Sequence, residues 1–375
     1  ARPRTKMNKT YCKFPFVGFQ ATHRDNRLCC AAKEPKDKIN TKEFWDSDYM
    51  ASVRSKMING ETVSACTSCY KEEEQGKISL RNHYNARFKD WEQKETPTAM
   101  DLDFSTLCNL KCIMCGPNRS SQWSKELGQT EKLPISKKEI DELCNISENI
   151  KHLTIQGGEP SIMPEFEYYF QYLKDNNLIQ NIEIDCISNL TNVNNKFYKL
   201  LSEFKNVNLD VSIDAYGDAC NYIRFPSNFE KIEQNILSLI DRKIQVNLQI
   251  SLQTLSMYNF YDFLVWIHNI NSKFERKNKK IGVHFSFVAE PKIYDINFAP
   301  IKLKEKFLSD IAKFKSSYSL KHNLKFNMSI RNIEKTLLST HTTDHWVELD
   351  QNIQILDQRR NIKVTNYIPD FYNYI

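Results

Sequence analysis

The sequence has little glycine and no long apolar run. Only 9 of its 375 residues are glycine and 12 are proline, which leaves little room for low-complexity linkers. The longest apolar stretch, residues 260–267, is interrupted by Asp262 and is far shorter than the roughly 20 residues that a membrane span needs. The first residues are basic but lack an apolar segment with a small-residue cleavage site. We therefore expect a soluble cytoplasmic protein without a membrane partner.

An excess of one charge is also missing. The chain has 52 basic and 46 acidic residues, a formal net charge of +6. This mild excess does not indicate nucleic acid as a partner. With 41% hydrophobic and 26% charged residues, the composition is that of a globular protein with one large domain or two unequal ones.

Cysteine, in contrast, is plentiful. Eleven cysteines, an odd number gathered mostly in short groups, do not resemble a secreted disulfide framework. In a reducing compartment, clustered thiols more often bind metal. The cysteines fall into an early group, a central group and three solitary residues: Cys12, Cys29, Cys30, Cys66 and Cys69; Cys108, Cys112 and Cys115; and Cys144, Cys186 and Cys220. Two groups of thiols predict two metal sites.

From about residue 99, short apolar strands alternate with amphipathic helices. Strands are predicted at residues 99–104, 152–156, 182–188, 207–213, 244–252 and 281–288. Helices are predicted at residues 136–149, 164–176, 194–204, 228–242 and 258–271. This alternation predicts an α/β fold with a parallel sheet, either open or curled into a partial barrel, and a site at the carboxyl ends of the strands.

The two ends of the chain differ from this pattern. Residues 1–95 contain a predicted hairpin at 14–28, a helix at 41–58 and a charged helical stretch at 70–94, and they predict a small metal-stabilised module. Residues 296–375 predict a helical extension of two helices and an aromatic tail. The predicted domains are therefore 1–95, 96–295 and 296–375.

Cys108, Cys112 and Cys115 have the spacing C-x3-C-x2-C in a loop that directly follows a predicted strand. Three thiolates on one loop can hold three irons of a 4Fe–4S cluster and leave the fourth iron open to a ligand. A zinc loop that lacks one ligand, or chance clustering, is the alternative.

The segment CNLKCIMCG resembles the cluster loop of the radical S-adenosylmethionine (SAM) superfamily. The resemblance implies a partial (β/α)6 TIM-like barrel over about residues 98–290 and a site where the open iron binds the amino and carboxylate groups of SAM. An electron from a donor such as flavodoxin or ferredoxin then cleaves SAM to a 5′-deoxyadenosyl radical, which abstracts hydrogen from a substrate. We also predict that Met114, within the same loop, is a cofactor-binding residue.

Further segments resemble other motifs of the same family and follow one another along the chain in the order that the family has. Gly157, Gly158, Glu159 and Pro160 follow the second predicted strand and resemble the GGEP motif, whose backbone and glutamate hold the SAM amino group. Glycines there let the main chain approach a ligand closely.

Polar residues at the next two strand ends complete the predicted SAM site. The resemblance implies SAM contacts from Ser188 and Asn189, and contacts to the ribose hydroxyls from Ser212 and Asp214. Arg224 is a candidate partner for the SAM carboxylate or a surface arginine. Residues 249–254 lack the family's glycine-containing motif, so the adenine contacts are not predicted.

The early thiols resemble a SPASM or twitch module, which carries a second iron–sulfur cluster. Here the module precedes the barrel, as in twitch-domain radical SAM proteins. The predicted ligands are Cys12, Cys29, Cys66 and Cys69, with Cys30 as the alternative to Cys29 because neighbouring strand residues point to opposite faces. A zinc site with the same four thiolates is the alternative.

Of the solitary cysteines, Cys144 and Cys186 are predicted to be core residues. Cys220 either faces the cavity, as a hydrogen donor to a substrate radical, or lies on a helix surface. The predicted function is radical SAM modification of a peptide or protein side chain, with a carbohydrate or nucleotide as the alternative small-molecule substrate. A non-catalytic metal-stabilised protein that binds nucleic acid or senses redox state is the alternative of another class.

Overall fold

The computed structural model describes residues 9–33, 41–318, 330, 331, 333, 334 and 344–374. Two compact units divide these residues. The first comprises the described residues up to Ser105 together with Lys132–Cys186 and Lys196–Val207. The second comprises Thr106–Glu131, Ile187–Asn195 and the described residues from Asn208 onward. The predicted division at residues 95 and 295 stays a prediction.

Eight strands are present in the described residues. They are β1 (Gly18–Thr22), β2 (Asn26–Arg27), β3 (Ala99–Asp103), β4 (His152–Gln156), β5 (Glu183–Ser188), β6 (Asn206–Ser212), β7 (Ile244–Leu252) and β8 (Gly282–Phe287). The six predicted strands are confirmed as β3 to β8, with each end within one residue. Their dense Val, Ile, Leu and Phe content fits strands of a parallel sheet covered on both faces.

Strand pairing is mostly parallel. In the first unit the order of neighbours is β2-β1-β3-β4-β5, and in the second it is β6-β7-β8. The antiparallel pair is β1 with β2, whereas β1 with β3, β3 with β4, β4 with β5, and β7 with β8 are parallel. The predicted α/β class is confirmed. In the first unit Ala99 is level with Gly18 and with His152, so the carboxyl ends of these strands lie at one edge.

Helices precede, separate and follow the strands. They are α1 (Phe14–Val17), α2 (Thr41–Phe44), α3 (Asp48–Asn59), α4 (Thr67–Glu74), α5 (Leu80–Arg87), α6 (Ser121–Glu126), α7 (Lys137–Asn145), α8 (Pro164–Asp175), α9 (Lys196–Leu201), α10 (Gly217–Ile223), α11 (Phe229–Ser238), α12 (Phe260–Glu275), α13 (Ile301–Ser317) and α14 (Trp346–Arg360).

Local signals explain where several helices begin. Ser136 and Glu139 form a reciprocal capping box at the start of α7, and the side chain of Asn228 caps α11. Pro164 occupies the first turn of α8, where its missing N–H needs no partner. The five predicted helices between the strands are confirmed as α7, α8, α9, α11 and α12, with differences at their ends, and the two C-terminal helices as α13 and α14.

Three predictions in the first 95 residues are wrong in detail. The single helix over 41–58 is broken, because the hydroxyl of Ser47 accepts a hydrogen bond from Met50 N at 3.2 Å and starts a new helix, α3. The helical stretch over 70–94 is interrupted at Gly76, whose φ of 72° lies outside the helical region. The hairpin predicted around 14–28 is confirmed as the antiparallel pair β1 and β2, but its first residues form the short helix α1.

No described helix combines the length and apolar content that crossing a membrane requires.

Candidate functional site

The central thiols lie in the loop that follows β3, within the second unit. Cys108 and Cys112 are buried, and Cys115 is exposed. Cys115 N donates to Cys112 O at 2.9 Å, which closes a tight turn between the last two thiols. Met114 packs against the apolar group formed by Cys108, Leu110 and Cys112. The predicted triad is therefore gathered in one short loop.

Helix α6 holds this loop through side chains that the sequence analysis missed. Ser121 Oγ accepts from Cys108 N at 3.2 Å, and Ser120 Oγ donates to Leu110 O at 2.6 Å. Trp123 Nε1 donates to Cys112 O at 2.8 Å. Ser120, which caps α6, was an available signal, because serine is a preferred helix cap.

Cys112 and Cys115 are electrostatically linked. Hydrogen bonding between the two thiols raises the pKa of Cys112, with burial adding to the effect, and the same contact lowers the pKa of Cys115. The positive charge of Arg224 favours the thiolate form of both. The lowered pKa suits Cys115 to present a thiolate, the form in which cysteine binds iron, whereas bound iron would have to offset the raised pKa of Cys112.

The donor chemistry of the loop fits an iron–sulfur cluster. Among the residues that the structure describes, no three histidine, cysteine or acidic side chains converge closely enough to hold one metal ion. A 4Fe–4S cluster does not require the thiols to converge on one point, because each thiolate binds a different iron and the cysteine sulfurs are spread around the cluster. Cys108, Cys112 and Cys115 would hold three of its irons.

Asn189, one of the predicted SAM contacts, reaches the thiol loop itself. Asn189 Nδ2 donates to Asn109 Oδ1 at 2.8 Å, and Asn109 Nδ2 donates to Thr191 Oγ1 at 2.8 Å. Asn109 directly follows Cys108, so the segment after β5 helps to fix the position of the first thiol. The neighbouring Ser188 is buried, and its Oγ accepts from Leu190 N at 3.0 Å. The predicted SAM contacts of Ser188 and Asn189 stay a prediction.

Asp214 and Arg224 form a buried ion pair just beyond β6. Arg224 Nη1 donates to Asp214 Oδ2 at 2.8 Å, and Ser251 N donates to Asp214 Oδ1 at 2.8 Å. Each carboxylate oxygen accepts up to two hydrogen bonds, so both retain acceptor capacity for a ribose hydroxyl. Arg224 is buried, and within the described part of the chain its Nε has no hydrogen-bond partner. The alternative of a surface arginine is wrong.

Burial alone would lower the pKa of Arg224, but the charges of Cys112 and Asp214 outweigh burial and raise this pKa above its ordinary value. The guanidinium is therefore held in its charged form. Ser212, at the end of β6, is half-buried. The predicted roles of Ser212, Asp214 and Arg224 toward SAM stay predictions.

Cys220, the predicted hydrogen donor, is fully buried in α10. Burial raises the pKa of its thiol to about 12, so it stays protonated at neutral pH. The helix-surface alternative is therefore wrong. Cys144 and Cys186 are buried, which confirms that both are core residues.

In the first unit, the glycine-rich segment directly follows β4. Gly157 has a φ of 140°, and a Cβ built there would lie 3.0 Å from Ser105 O and 3.1 Å from Asp103 Oδ1. Gly158 N donates to Ser105 O at 3.0 Å. Gly157 is therefore required by close approach of the main chain to the end of β3, and Gly158 is tied to the same strand end by its N–H.

Glu159 is 1% exposed, and its Oε1 accepts from Ser161 N at 3.2 Å and from Ser161 Oγ at 2.5 Å. Pro160 opens a short 3-10 helix directly after it. The carboxylate is thus oriented by its own turn, which suits a fixed acceptor for an amino group. Its contact to SAM stays a prediction.

The early thiols are brought together in the first unit. Cys12, Cys66 and Cys69 are within electrostatic range of one another, and Cys29 is within range of Cys12. Burial, with a contribution from the neighbouring thiols, raises the pKa of Cys12 to about 12 and of Cys66 to about 11. Cys30 is exposed. As in the thiol loop after β3, this arrangement fits a cluster in which each thiolate binds its own iron, because bound iron would favour the thiolate form that burial opposes in Cys12 and Cys66.

Helix α5 fixes the segment that carries Cys12. Arg81 Nη1 and Asn85 Nδ2 both donate to Tyr11 O, at 2.7 and 3.0 Å, and Lys13 N donates to Asn85 Oδ1 at 2.7 Å. The main chain on both sides of Cys12 is therefore held by buried side chains that the sequence analysis did not identify.

The family model described as the Radical SAM superfamily matches residues 102–259. Residues 102–259 are therefore similar to a radical SAM domain, and that family implies a 4Fe–4S cluster and SAM as cofactors. The matched range of the radical SAM domain includes the thiol loop, the glycine-rich segment and the polar strand ends, whereas Cys12, Cys29, Cys66 and Cys69 precede it.

Three solved structures align with parts of the chain. SuiB from Streptococcus suis bound to precursor peptide SuiA is 13% identical over 59% of this chain and 62% of that chain, with a TM-score of 0.34. SuiB bound to S-adenosylmethionine is 12% identical over 68% of this chain and 67% of that chain, with a TM-score of 0.35. TYW1 with a lysine-pyruvate adduct is 14% identical over 73% of this chain and 90% of that chain, with a TM-score of 0.34. The chain thus spans less than two thirds of the peptide-bound SuiB, and no curated protein matches it.

Proposed function

We propose that this chain cleaves SAM reductively and passes the resulting 5′-deoxyadenosyl radical to a side chain of a peptide or protein. The observation that carries the proposal is the thiol loop after β3, whose three cysteines have the spacing C-x3-C-x2-C and whose main chain is held by α6. When bound there, a 4Fe–4S cluster supplies the electron that breaks the sulfonium bond of SAM.

The chain's own residues would bind and orient SAM. Gly157 and Gly158 would place the turn after β4 beside SAM, and the buried carboxylate of Glu159 would accept hydrogen bonds from the SAM amino group. Arg224 would donate its unpaired Nε to the SAM carboxylate. Asp214 would accept from the ribose hydroxyls with the lone pairs that its present partners leave.

Each turnover would consume one electron, from a donor such as flavodoxin or ferredoxin, and one hydrogen atom from the substrate. The products would be methionine, 5′-deoxyadenosine and a substrate radical. The protein's part is to exclude water and to fix the distance between SAM and the substrate hydrogen. Free thiols are maintained in a reducing compartment, so we assign the protein to the cytoplasm.

The test is 5′-deoxyadenosine formation by protein that has been reconstituted anaerobically with iron and sulfide. We expect wild type plus SAM and dithionite to release 5′-deoxyadenosine and methionine in equal amounts. Cys112→Ala should release neither, and Cys144→Ala, which replaces a buried cysteine outside both groups, is the matched control. Wild-type protein that binds iron at the triad and leaves SAM intact would instead indicate a redox-sensing or nucleic-acid-binding protein.

We further propose that β3 to β8 and their helices belong to the partial (β/α)6 barrel, and that residues 1–95 are a twitch or SPASM-type module with a second iron–sulfur cluster. The electrostatic interactions among Cys12, Cys66 and Cys69, and between Cys29 and Cys12, support the second cluster. With all four as ligands it would relay electrons or tune redox chemistry, with no iron left for substrate.

Metal analysis of a Cys108/Cys112/Cys115→Ala variant separates iron from zinc at the second site. We expect the reconstituted variant to retain about four irons and matching sulfide per chain. Retained zinc in place of iron would mean a structural tetrathiolate site and would refute the second cluster while leaving the SAM reaction untouched.

The substrate class rests on resemblance to SPASM and twitch enzymes. Hydrogen transfer into 5′-deoxyadenosine from deuterated candidates tests it directly. We expect deuterium to be transferred from a peptide, and transfer from a carbohydrate or nucleotide instead would replace the peptide assignment.

A further inference from the structure

Arg360, the last residue of α14, has a fully buried side chain that is held by four groups. Its Nη2 donates to Lys111 O at 2.9 Å, and its Nε lies 3.3 Å from Glu126 Oε2. The guanidinium also lies over two aromatic rings, 5.1 Å from the centre of Trp123 and 5.2 Å from that of Phe225. A buried charge is unfavourable unless it is paired and hydrogen-bonded, so these contacts define one position for the guanidinium.

Lys111, the residue that Arg360 holds, lies between Cys108 and Cys112. Lys111 N donates to Phe225 O at 2.7 Å, while Lys111 O accepts from Arg360. The main chain between these two thiols is therefore fixed on both sides of one residue. This leaves little freedom in the distance between the two sulfurs.

Glu126 joins the two cations of this network. Its side chain is 4% exposed, and it forms ion pairs with both Lys111 and Arg360. Burial alone would raise the pKa of Glu126, but the two cations lower it below its usual range. An ionised Glu126 thus links the side chain of Lys111 to the guanidinium of Arg360, which in turn donates to the main-chain oxygen of Lys111.

Trp123 extends the contact to the second thiol. Its indole lies against Arg360 and donates to Cys112 O at 2.8 Å. The main-chain oxygens of Lys111 and Cys112 thus accept from two side chains that pack against each other. Removal of Arg360 would free one of them directly and loosen the other.

We propose that Arg360 is a positioning residue for the cluster: it fixes the main chain between Cys108 and Cys112 and holds these thiols in the geometry that the cluster and SAM require. The C-terminal helix α14 thereby becomes part of the SAM-cleaving enzyme, although it lies outside residues 102–259 of the family match. The inference rests on the proposed assignment of the cluster to Cys108, Cys112 and Cys115.

The test compares Arg360→Ala with Arg359→Ala, which changes the neighbouring, exposed arginine of the same helix. Full-length proteins are reconstituted anaerobically and reduced, and their electron paramagnetic resonance spectra are recorded with and without SAM. The SAM-dependent change in the spectrum reports the triad's cluster, because a fully ligated second cluster has no open iron. Extraction of iron by a chelator is followed on the same samples.

We expect Arg360→Ala to diminish the SAM-dependent spectral change and to release iron roughly tenfold faster, as loss of a hydrogen bond from a charged donor predicts. Arg359→Ala should match wild type in both measurements. Arg360→Lys should be intermediate, because lysine keeps the charge but lacks the fork that reaches Lys111 O and Glu126 together.

Agreement of Arg360→Ala with Arg359→Ala in both measurements would overturn the inference. If Arg360→Ala does not fold, Arg360→Lys decides, and a wild-type spectrum and extraction rate in that variant would equally overturn it. A wild type that shows no SAM-dependent change refutes the proposed function instead, and the extraction rates then test the positioning role alone.

Discussion

Replacing Gly157 with alanine is expected to destabilise the turn after β4 through two separable effects, one in the backbone and one in packing. Gly157 has a φ of 140°, where residues with a Cβ are strained by about 1–3 kcal/mol. The added Cβ would also lie 3.0 Å from Ser105 O and 3.1 Å from Asp103 Oδ1 and from Met163 Cε. Overpacking of this kind typically costs about 1–3 kcal/mol.

Ser105 O is not free to move away, because it accepts a hydrogen bond from Gly158 N at 3.0 Å. We therefore expect Gly157→Ala to lower the free energy of unfolding by about 3 kcal/mol. Since the turn must shift to relieve the contacts, the affinity for SAM should fall as well.

Gly76→Ala is the matched control for the backbone effect. Gly76 also has a left-handed φ, 72°, but nothing lies within 4 Å of its added Cβ. Its replacement should lower the free energy of unfolding by about 1 kcal/mol and leave SAM affinity unchanged. Urea unfolding of both variants and SAM titration of the reconstituted proteins measure the difference. Equal losses of stability in the two variants, with SAM affinity intact, would refute the reasoning.

Three other expectations can be checked with similar measurements. Burial lowers the pKa of His152 to about 4 from 6.5. Between these two pH values the imidazole is therefore protonated in the unfolded chain and neutral in the folded chain. The free energy of unfolding should thus fall as the pH falls from 6.5 towards 4. His152→Gln should abolish about 2 kcal/mol of this fall between pH 7 and 5. Urea unfolding at several pH values measures it, and the same pH dependence in the variant and in wild type would contradict the expectation. Cys29→Ser should lower the iron content of the reconstituted protein by about four irons per chain, and Cys30→Ser should leave it unchanged. The reverse result would make Cys30 the ligand. Trp123→Phe leaves Cys112 O without its donor, and we expect a loss of about 1–3 kcal/mol in urea unfolding, against no change if the bond is dispensable.

The central strands were predictable because their signals are local. Short apolar runs bounded by polar residues mark β3 to β8, and in β7 the buried residues alternate strictly with less buried ones. The thiol loop was equally accessible, since its chemistry depends on spacing within eight residues, from Cys108 to Cys115.

The long-range supports of the site were not predictable, because they join residues that are remote in sequence. Asn189 meets Asn109 across 80 positions, and Arg360 meets Lys111 across 249. No periodicity encodes such pairs, which depend on the topology of the whole chain. The break at Ser47 was missed for a different reason, since a single capping hydroxyl ended a helical pattern that otherwise continued.

The most direct measurement is the yield of 5′-deoxyadenosine from SAM under strong reductant, in wild type and in the Cys108/Cys112/Cys115→Ala variant whose early thiols are intact. We expect nucleoside from wild type and none from the variant, although the variant still carries iron at its early thiols. Nucleoside from both proteins, or SAM left whole by iron-loaded wild type, would contradict it.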